Sequence, residues 1–265
     1  MEDYKFIATE ARKKVLSLIY KAQTSHIGSN FSCADIMTAL FSKIDLDKDK
    51  FILSAGWKAA MLYYFLWRKG RITEEELNSY CMDGSKFIGL AEPIIPEIIF
   101  AGGSMGMGLS AGVALAWSKK QRNQEGTVYV LESDGGIQVG INWEAMWFAQ
   151  QHKLNNLVLI IDNNGFQAMK STKEILDCSE LRRKIDGFGW DVDEVDGHNY
   201  EDIRYSLVRN NEKFIQEYGL QESESPRCII AHTVKGKGVD FMENSNLWHY
   251  KSPNKDEYEA AMKQL

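Results

Sequence analysis

The sequence predicts an α/β fold in which a doubly wound, mainly parallel sheet is flanked by helices. Two short apolar runs, VYVL at 128–131 and LVLII at 157–161, are rich in β-branched residues and show no polar alternation. Such runs are typical of strands buried on both faces of a parallel sheet. The segment between them, at 142–154, has helical spacing. The unit is therefore predicted as strand–helix–strand, with both turns at the same edge of the sheet.

Length and composition fit an ordinary globular protein with a large core. The chain has 265 residues, of which 44% are hydrophobic and 26% charged, and a net charge of −6 that argues against nucleic acid as a partner. Four separated cysteines without a CxxC pair indicate reduced thiols rather than a disulfide framework or a zinc site: Cys33, Cys81, Cys178 and Cys228. With no membrane-length apolar run and an N-terminus of mixed charge, we expect a soluble, cytoplasmic protein that contacts no membrane.

The chain is predicted to begin with two helices joined by a turn. Residues 4–22 carry an apolar stripe at helical spacing, which predicts the first helix. A turn that contains His26 leads to the second helix. Ser32 is the expected cap of that helix, and Asp35 lies in its first turn, where an acidic side chain is favourable. By itself, a lone histidine in such a turn indicates only an ordinary polar residue.

A strand and two helices are expected next. Residues 51–54 follow a polar loop and predict a strand, and residues 59–70 predict a helix that ends at Gly70. Thr73 is a suitable cap for a short surface helix whose first turn is acidic.

The stretch AGGSMGMG at 101–108 is a glycine-rich turn before another helix. Its glycines permit close approach of the backbone, and a helix expected from about Leu109 could direct its N-terminal amides toward an anion. A glycine-rich turn alone is weak evidence for a ligand, because packing could also explain the glycines.

The last third of the chain is predicted to complete the sheet. We expect a helix at 179–185, a strand at 191–195 and a further buried strand that begins at Cys228. A capped helix is predicted within 252–265.

Two oxygen donors follow neighbouring strands of the predicted sheet. Asp134 lies in the turn after the first apolar run, and Asn164 lies in the turn after the second. Carboxyl ends of parallel strands meet at one edge of the sheet, close to helix N-termini, so these donors suit a Mg²⁺ ion that holds a diphosphate. The alternative interpretation of this unit alone is any doubly wound nucleotide-binding domain.

The motifs and their order resemble the transketolase family. The acidic-glycine turn at Asp134 and Gly135, followed about thirty residues later by the Asn164 turn, resembles the thiamine diphosphate motif, and the Trp143-Glu144-Ala145 sequence narrows the resemblance to transketolases. The segments GSMGMG and TVKGKG…LWHY also resemble family motifs. The resemblance covers the whole chain. It implies that residues 1–265 form one diphosphate-binding domain, with the pyrimidine-binding and C-terminal domains of the family absent.

The resemblance implies thiamine diphosphate as cofactor, with Mg²⁺, or Ca²⁺ or Mn²⁺ in its place. The expected metal ligands are the side chains of Asp134 and Asn164 and the backbone carbonyl of Phe166. Catalytic roles are expected for His26, for His249 and for Glu144, which in the family belongs to an acidic network between two active sites. The residues expected to bind the cofactor are Gly103, Ser104, Met105, Gly106, Asp134, Gly135, Asn164 and His249.

By resemblance, the reaction is transfer of a two-carbon ketol unit from a ketose or ketose phosphate donor to an aldehyde or aldose acceptor. A transketolase cofactor lies between a diphosphate-binding and a pyrimidine-binding domain. A second polypeptide is therefore expected to supply the missing domains, giving a split enzyme with an α₂β₂ assembly. We expect activity only with this partner, and small sugars or sugar phosphates as substrates.

Several positions depart from the family pattern. Trp57 replaces a histidine, Gly136 and Val139 replace two glutamates, and Tyr250 replaces a glycine. Two alternative functions therefore stay open: a subunit of a diverged thiamine diphosphate-dependent carboligase or decarboxylase in a specialised sugar or secondary-metabolite pathway, and a catalytically silent subunit for assembly or regulation. A nicotinamide dehydrogenase is disfavoured because no G-x-G-x-x-G follows the first strand.

Overall fold

A computed structural model describes residues 3–177, 179–209 and 223–265. Within these ranges five strands form one sheet in the order β1-β2-β3-β5-β4, and every neighbouring pair is parallel. The carboxyl ends of all five strands therefore lie at one edge, and the predicted parallel α/β sheet is confirmed. The strands are β1 (Lys50–Leu53), β2 (Val128–Ser133), β3 (Leu157–Asn163), β4 (Asp191–Asp196) and β5 (Arg227–His232).

Helices precede, connect and follow the strands. Short 3₁₀ turns occupy Gly56–Lys58, Gly136–Gln138 and Asn246–His249. The α-helices of the described residues are α1 (Tyr4–Ala22), α2 (Ile27–Ser32), α3 (Ala34–Lys43), α4 (Ala59–Arg68), α5 (Glu74–Asn78), α6 (Met107–Gln121), α7 (Ile141–Gln151), α8 (Thr172–Ile175), α9 (Leu181–Asp186), α10 (Tyr200–Val208) and α11 (Lys255–Gln264).

Both faces of the sheet are covered by helices, as the absence of polar alternation predicted. Leu131 of β2 and Ile160 of β3 pack into a core formed with α1, α3, α4 and α10. Their neighbours in the chain, Val130 and Leu159, point to the other face and pack against α6, α7 and α9. Since successive side chains of a strand alternate between faces, both sets must be apolar.

Several predicted helix ends are confirmed. Thr73 forms a capping box with Glu76, and Asn254 forms one at the start of α11. Gly70 lies just beyond α4 with a φ of +68°, a conformation that glycine adopts without strain. Helix α6 begins at Met107, two residues before the predicted start.

The predicted cap at Ser32 is wrong. Helix α3 begins at Ala34, and its N-cap residue, Cys33, makes no capping hydrogen bond through its side chain. The Ser32 hydroxyl instead donates to Asp162 at the end of β3, at 2.6 Å. A buried carboxylate there competes for the hydroxyl more strongly than the helix amides do. Asp35 does lie in the first turn of α3, as predicted.

The thiols of the described residues are free. Cys33 and Cys228 are buried and Cys81 is half-buried, and burial raises the pKa of Cys33 to about 12. The prediction for Cys178 concerns a residue outside the described ranges. Across the described ranges, no helix has both the length and the apolar character needed to cross a bilayer.

We predict that Gly112→Ala destabilises the protein. A Cβ at Gly112 would lie 2.5 Å from Cγ2 of Val130, so α6 would have to move away from β2. Overpacking of this kind costs about 1–3 kcal/mol of unfolding free energy, although alanine is the better helix former. Urea unfolding of the variant measures this loss.

Ser118→Ala, in the same helix, is the matched control and should leave the unfolding free energy nearly unchanged. An unaltered urea midpoint for Gly112→Ala would contradict the tight packing of α6 on the sheet.

Candidate active site

A cavity of about 280 Å³ lies at the carboxyl edge of the sheet. A larger groove of about 690 Å³ lies elsewhere, beside α1, α3 and the loop after β4, and contains none of the predicted cofactor residues. The smaller cavity is lined by His26, Ser29, Trp57, Lys58, Gly103, Met105, Ser133, Asp134, Gly135, Asn164, Phe166, Gln167, Ala168, Lys235, His249 and Tyr250.

Asp134 lies in the floor of the cavity, directly after β2, and is almost fully buried. Its Oδ1 accepts a hydrogen bond from the amide of Gly135 at 2.8 Å, and its Oδ2 accepts one from the amide of Gly165 at 2.6 Å. Gly135 leaves little room beside it, because an added Cβ would lie 3.1 Å from Cγ of Gln167. The carboxylate thus joins the turns after β2 and β3.

Asn164 supplies the second predicted oxygen ligand, from the turn after β3. Its side chain is buried, and its Oδ1 accepts a hydrogen bond from the Phe166 amide at 3.2 Å. Gly165 between them has a φ of +78°, which glycine tolerates best. The turn therefore places Asn164 and Phe166 on the lining of one cavity with Asp134.

A buried ion pair lies beneath the cavity. Lys58, which follows β1, pairs with Asp162 of β3, and both side chains are excluded from solvent. The hydroxyls of Ser32 and Thr233 also donate to Asp162. Burial would raise the pKa of Asp162, but Lys58 and these hydroxyls hold it below its usual value.

The charge of Asp134 is not balanced in the same way. Burial, and then the nearby charge of Asp162, raise the pKa of Asp134 to about 7, against the opposing effect of Lys58. Within the described ranges, this buried carboxylate has no paired cation to neutralise its charge. Together with the amide oxygen of Asn164, it forms a donor set that suits a hard cation. No three His, Cys, Asp or Glu side chains form a metal cluster in the described part of the chain. The predicted Mg²⁺ set of one carboxylate, one amide and one carbonyl therefore fits the residues that are present.

The two predicted histidines meet at the wall of the cavity. The His26 amide donates to the His249 carbonyl at 2.8 Å, and the ring centroids are 4.9 Å apart in an edge-on arrangement. Lys235, in the turn after β5, has its Nζ 2.8 Å from Nδ1 of His249. An ammonium only donates, so Nδ1 is the acceptor and the neutral ring carries its proton on Nε2.

Burial keeps both rings neutral. Burial, with a smaller effect of Lys235, lowers the pKa of His26 from 6.5 to about 4 and that of His249 from 6.5 to about 3. The pKa of Lys235 falls to about 8, first through burial, so this side chain is still mostly cationic at neutral pH. The wall thus combines one cation with neutral hydrogen-bonding groups.

Aromatic side chains complete the wall. The His26 ring centroid lies 6.4 Å from that of Trp57 and 5.6 Å from that of Tyr250. Trp57 is half-buried, whereas Tyr250 is 63% exposed at the mouth of the cavity. Two of the four positions at which the sequence departs from the transketolase pattern, Trp57 and Tyr250, therefore face the same space.

The glycine-rich turn contributes only part of its predicted set. Gly103 and Met105 line the cavity. Gly106 has a φ of +80°, and an added Cβ would lie 2.7 Å from Cβ of Val139. Ser104 is exposed outside the lining, and so is Glu144, which lies on the surface of α7. The proposed contacts of these two residues stay predictions.

Sequence analysis missed Lys58 and Lys235. Both lysines stand in motifs that were noticed, Lys58 directly after Trp57 and Lys235 in the TVKGKG segment. Their position after strand ends was the available signal, because every polar side chain there approaches the same edge of the sheet.

Residues 4–265 match the family described as transketolase, thiamine diphosphate binding domain. A relative from Phocaeicola vulgatus, named as one of the subunits of an apulose-4-phosphate transketolase, is 34% identical over 263 residues, which are 96% of this chain and 90% of the relative. A 6-deoxy-6-sulfo-D-fructose transketolase subunit from a Clostridium species is 29% identical over 99% of this chain and 96% of the relative. The solved transketolase of Campylobacter jejuni matches with a TM-score of 0.89 and 26% identity, over all of this chain but only 43% of its own.

We predict that Lys58→Met costs about 3–5 kcal/mol of unfolding free energy, because it leaves Asp162 charged, buried and unpaired. The double variant Lys58→Met/Asp162→Asn should be more stable than Lys58→Met alone. Chemical unfolding compares the variants. Lys48→Met removes an exposed ion pair with Glu125 and should change little. A loss for Lys58→Met no larger than that of this control would contradict the role of the buried pair.

The contribution of His26 and His249 to the unfolding free energy should fall as the pH decreases from about 6.5 to 4, whereas the raised pKa of Asp134 acts in the opposite direction in this window. In this window the unfolded histidines bind protons while His26 and His249 in the folded protein do not, so protonation favours the unfolded chain. Their contribution is complete above pH 6.5 and is lost on acidification.

Urea unfolding across this range should show a smaller loss of unfolding free energy on acidification for His249→Gln than for the wild-type protein. His152→Gln, at an exposed position, is the control, and its unfolding free energy should change with pH as that of the wild-type protein does. Equal changes with pH for all three proteins would contradict the buried, neutral state of His249.

Proposed function

The chain belongs to the transketolase family, whose members are thiamine diphosphate-dependent transferases, and from this premise we propose that it is the diphosphate-binding subunit of a split transketolase. The observation that carries the proposal is the floor of the cavity. There, the buried and unbalanced carboxylate of Asp134 lies beside Asn164 at the carboxyl edge of the sheet. This is the arrangement that a Mg²⁺–diphosphate group requires.

The residues of the cavity divide into three groups by chemistry. Asp134, Asn164 and the carbonyl of Phe166 would hold Mg²⁺. The cationic Lys235, the Nε2 proton of His249 and the backbone of the glycine-rich turn suit the diphosphate. When bound, thiamine diphosphate supplies the centre that stabilises a carbanion, and the protein supplies binding and orientation.

Each neutral ring offers one nitrogen, Nε2, to a bound group, because Nδ1 of His26 is hydrogen-bonded to the Ser25 hydroxyl and Nδ1 of His249 accepts from Lys235. We assign His26 to substrate hydroxyl or carbonyl groups and His249 to the boundary between diphosphate and substrate. A neutral imidazole can donate from one nitrogen and accept at the other, which an imidazolium cannot. Trp57 and Tyr250 add aromatic surface to the same wall. The reaction that we propose is transfer of a two-carbon ketol unit from a ketose or ketose phosphate to an aldehyde or aldose acceptor.

We further propose that residues 1–265 act as one domain and that a partner chain supplies the pyrimidine-binding and C-terminal domains. In support, the Phocaeicola relative, 90% of which this chain covers, is itself named as one subunit of its enzyme. Glu144 is exposed on α7 beside Trp147, which is 72% exposed, so this face is available for a contact with another chain. An α₂β₂ assembly would place two such faces together.

A diverged carboligase or decarboxylase is the second candidate, and the aromatic wall favours it. Trp57 and Tyr250 present rings where polar groups would orient a polyol. A donor panel on the assembled complex separates the two functions. Ketose donors should yield products lengthened by two carbons, whereas 2-oxo acid donors with release of CO₂ would support the second candidate. A catalytically silent subunit would turn over neither class, and the absence of thiamine diphosphate binding at saturating cofactor would support that function.

We predict that thiamine diphosphate binds the complex of this chain with its partner only when Mg²⁺ is present. Asp134→Asn should weaken this binding by more than the roughly 100-fold that the loss of an outer-shell partner costs, because the one anionic metal ligand becomes a neutral amide. Asp83→Asn, at an exposed position, is the control. Calorimetric titration measures both variants. Wild-type affinity in Asp134→Asn, or no binding in the wild-type complex, would overturn the proposed cofactor site.

A further inference from the structure

Glu132 is fully buried at the end of β2, two residues before Asp134, and does not line the cavity. One carboxyl oxygen accepts a hydrogen bond from the Ser54 hydroxyl, and the other accepts one from the Ser133 amide at 2.9 Å. A carboxyl group is costly to bury, so its presence in the core of a strand end requires an explanation.

Gly136 leaves the space that this carboxyl group fills. A Cβ at Gly136 would lie 1.9 Å from Oε1 of Glu132 and 2.6 Å from its Cδ. The carboxyl group cannot simply swing away, because it is enclosed and both of its oxygens accept hydrogen bonds. Position 136 can therefore carry no side chain while Glu132 is in place. Gly136 is also a position where the transketolase pattern has a glutamate.

We propose that Glu132 is a positioning residue for the Asp134 turn, and that its carboxyl group has taken the volume that a side chain at position 136 would occupy. The acidic group that contacts this turn thus comes from its start, at Glu132, and not from position 136, and the two positions share one space. This inference rests on the proposed function only in its consequence for the cofactor.

The contacts of Glu132 explain how it positions the turn. Its bond to the Ser133 amide fixes the residue before Asp134, and the Ser133 hydroxyl accepts a hydrogen bond from the Gly136 amide at 2.9 Å. Both sides of the metal-ligand turn are thereby held. These hydrogen bonds restrain the backbone on either side of Asp134 and so help to fix the direction of its carboxylate.

The same carboxyl group connects the turn to the glycine-rich segment. Ser54, which donates to Glu132, packs so closely on α6 that a Cβ at Gly108 would lie 2.4 Å from its own Cβ. Glu132 and Ser54 therefore link the ends of β1 and β2 to the start of α6. This buried contact fixes the position of the proposed metal-binding turn relative to the proposed diphosphate-binding segment.

A double-mutant cycle on the full chain tests whether the Glu132 carboxyl group and a side chain at position 136 compete for the same space. Gly136→Ala should lower Tm by on the order of 5 °C in the wild-type protein, because the Glu132 carboxyl group must give up its hydrogen bonds. In a Glu132→Ala background the same change should shift Tm by no more than about 1 °C. Gly140→Ala is the control, since a Cβ there meets no atom within 4 Å.

Equal Tm losses for Gly136→Ala in both backgrounds, or no loss in the wild-type protein, would overturn the proposal. If Glu132→Ala does not fold, Glu132→Ser also removes the atoms that clash and retains a hydroxyl acceptor. The cycle is measured on the chain without cofactor, so it stays decisive even if the proposed function fails.

Cofactor binding by the assembled complex tests the positioning role. Glu132→Ala should raise the Mg²⁺ concentration for half-maximal thiamine diphosphate binding by about 10–100-fold, with kcat at saturating cofactor nearly unchanged. Glu132→Gln, which has the same shape and can still accept from the Ser133 amide, should restore most of the affinity. Wild-type Mg²⁺ dependence in a destabilised Glu132→Ala would assign the residue a purely structural role and overturn the positioning.

Discussion

The buried pair of Lys58 and Asp162 is the interaction on which the cavity depends. It joins the segment after β1 to the end of β3, and the hydroxyls of Ser32 and Thr233 bring α2 and the segment after β5 to the same carboxylate. An ion pair that is buried away from water is stable only when both partners are fully hydrogen-bonded, because the cost of desolvation offsets most of the Coulomb attraction. Four separate parts of the chain are therefore held at fixed distances beneath one cavity.

The pair also sets the electrostatics above it. Lys58 forms its ion pair with Asp162, so the carboxylate of Asp134 has no ion-pair partner among the described residues. One buried acid is thus neutralised for stability, and its neighbour is left available for a ligand. The rings of His26 and His249 are likewise neutral, and the positive charge beside them is carried by Lys235.

Local pattern predicted the sheet and the ligands at strand ends, but not the contacts between them. The apolar runs at 128–131 and 157–161 were sufficient to place Asp134 and Asn164 at the same edge, because strand direction fixes which end each turn occupies. Ser32 was assigned to a helix cap because its true partner, Asp162, is distant in the sequence. The roles of Lys58, Lys235 and Glu132 likewise depend on residues that are close in space but distant in the sequence. The spacing of apolar residues along the chain does not predict such contacts.

The hydrogen bond between the His26 amide and the His249 carbonyl has a consequence for the order of folding. Most of the chain lies between these two residues, so the contact has a very high sequence separation and a large loop-closure entropy. Synthesis must therefore proceed beyond His249 before this wall of the cavity can form. The last strand ends at His232, so the sheet can form during synthesis before the wall that contains His249 closes.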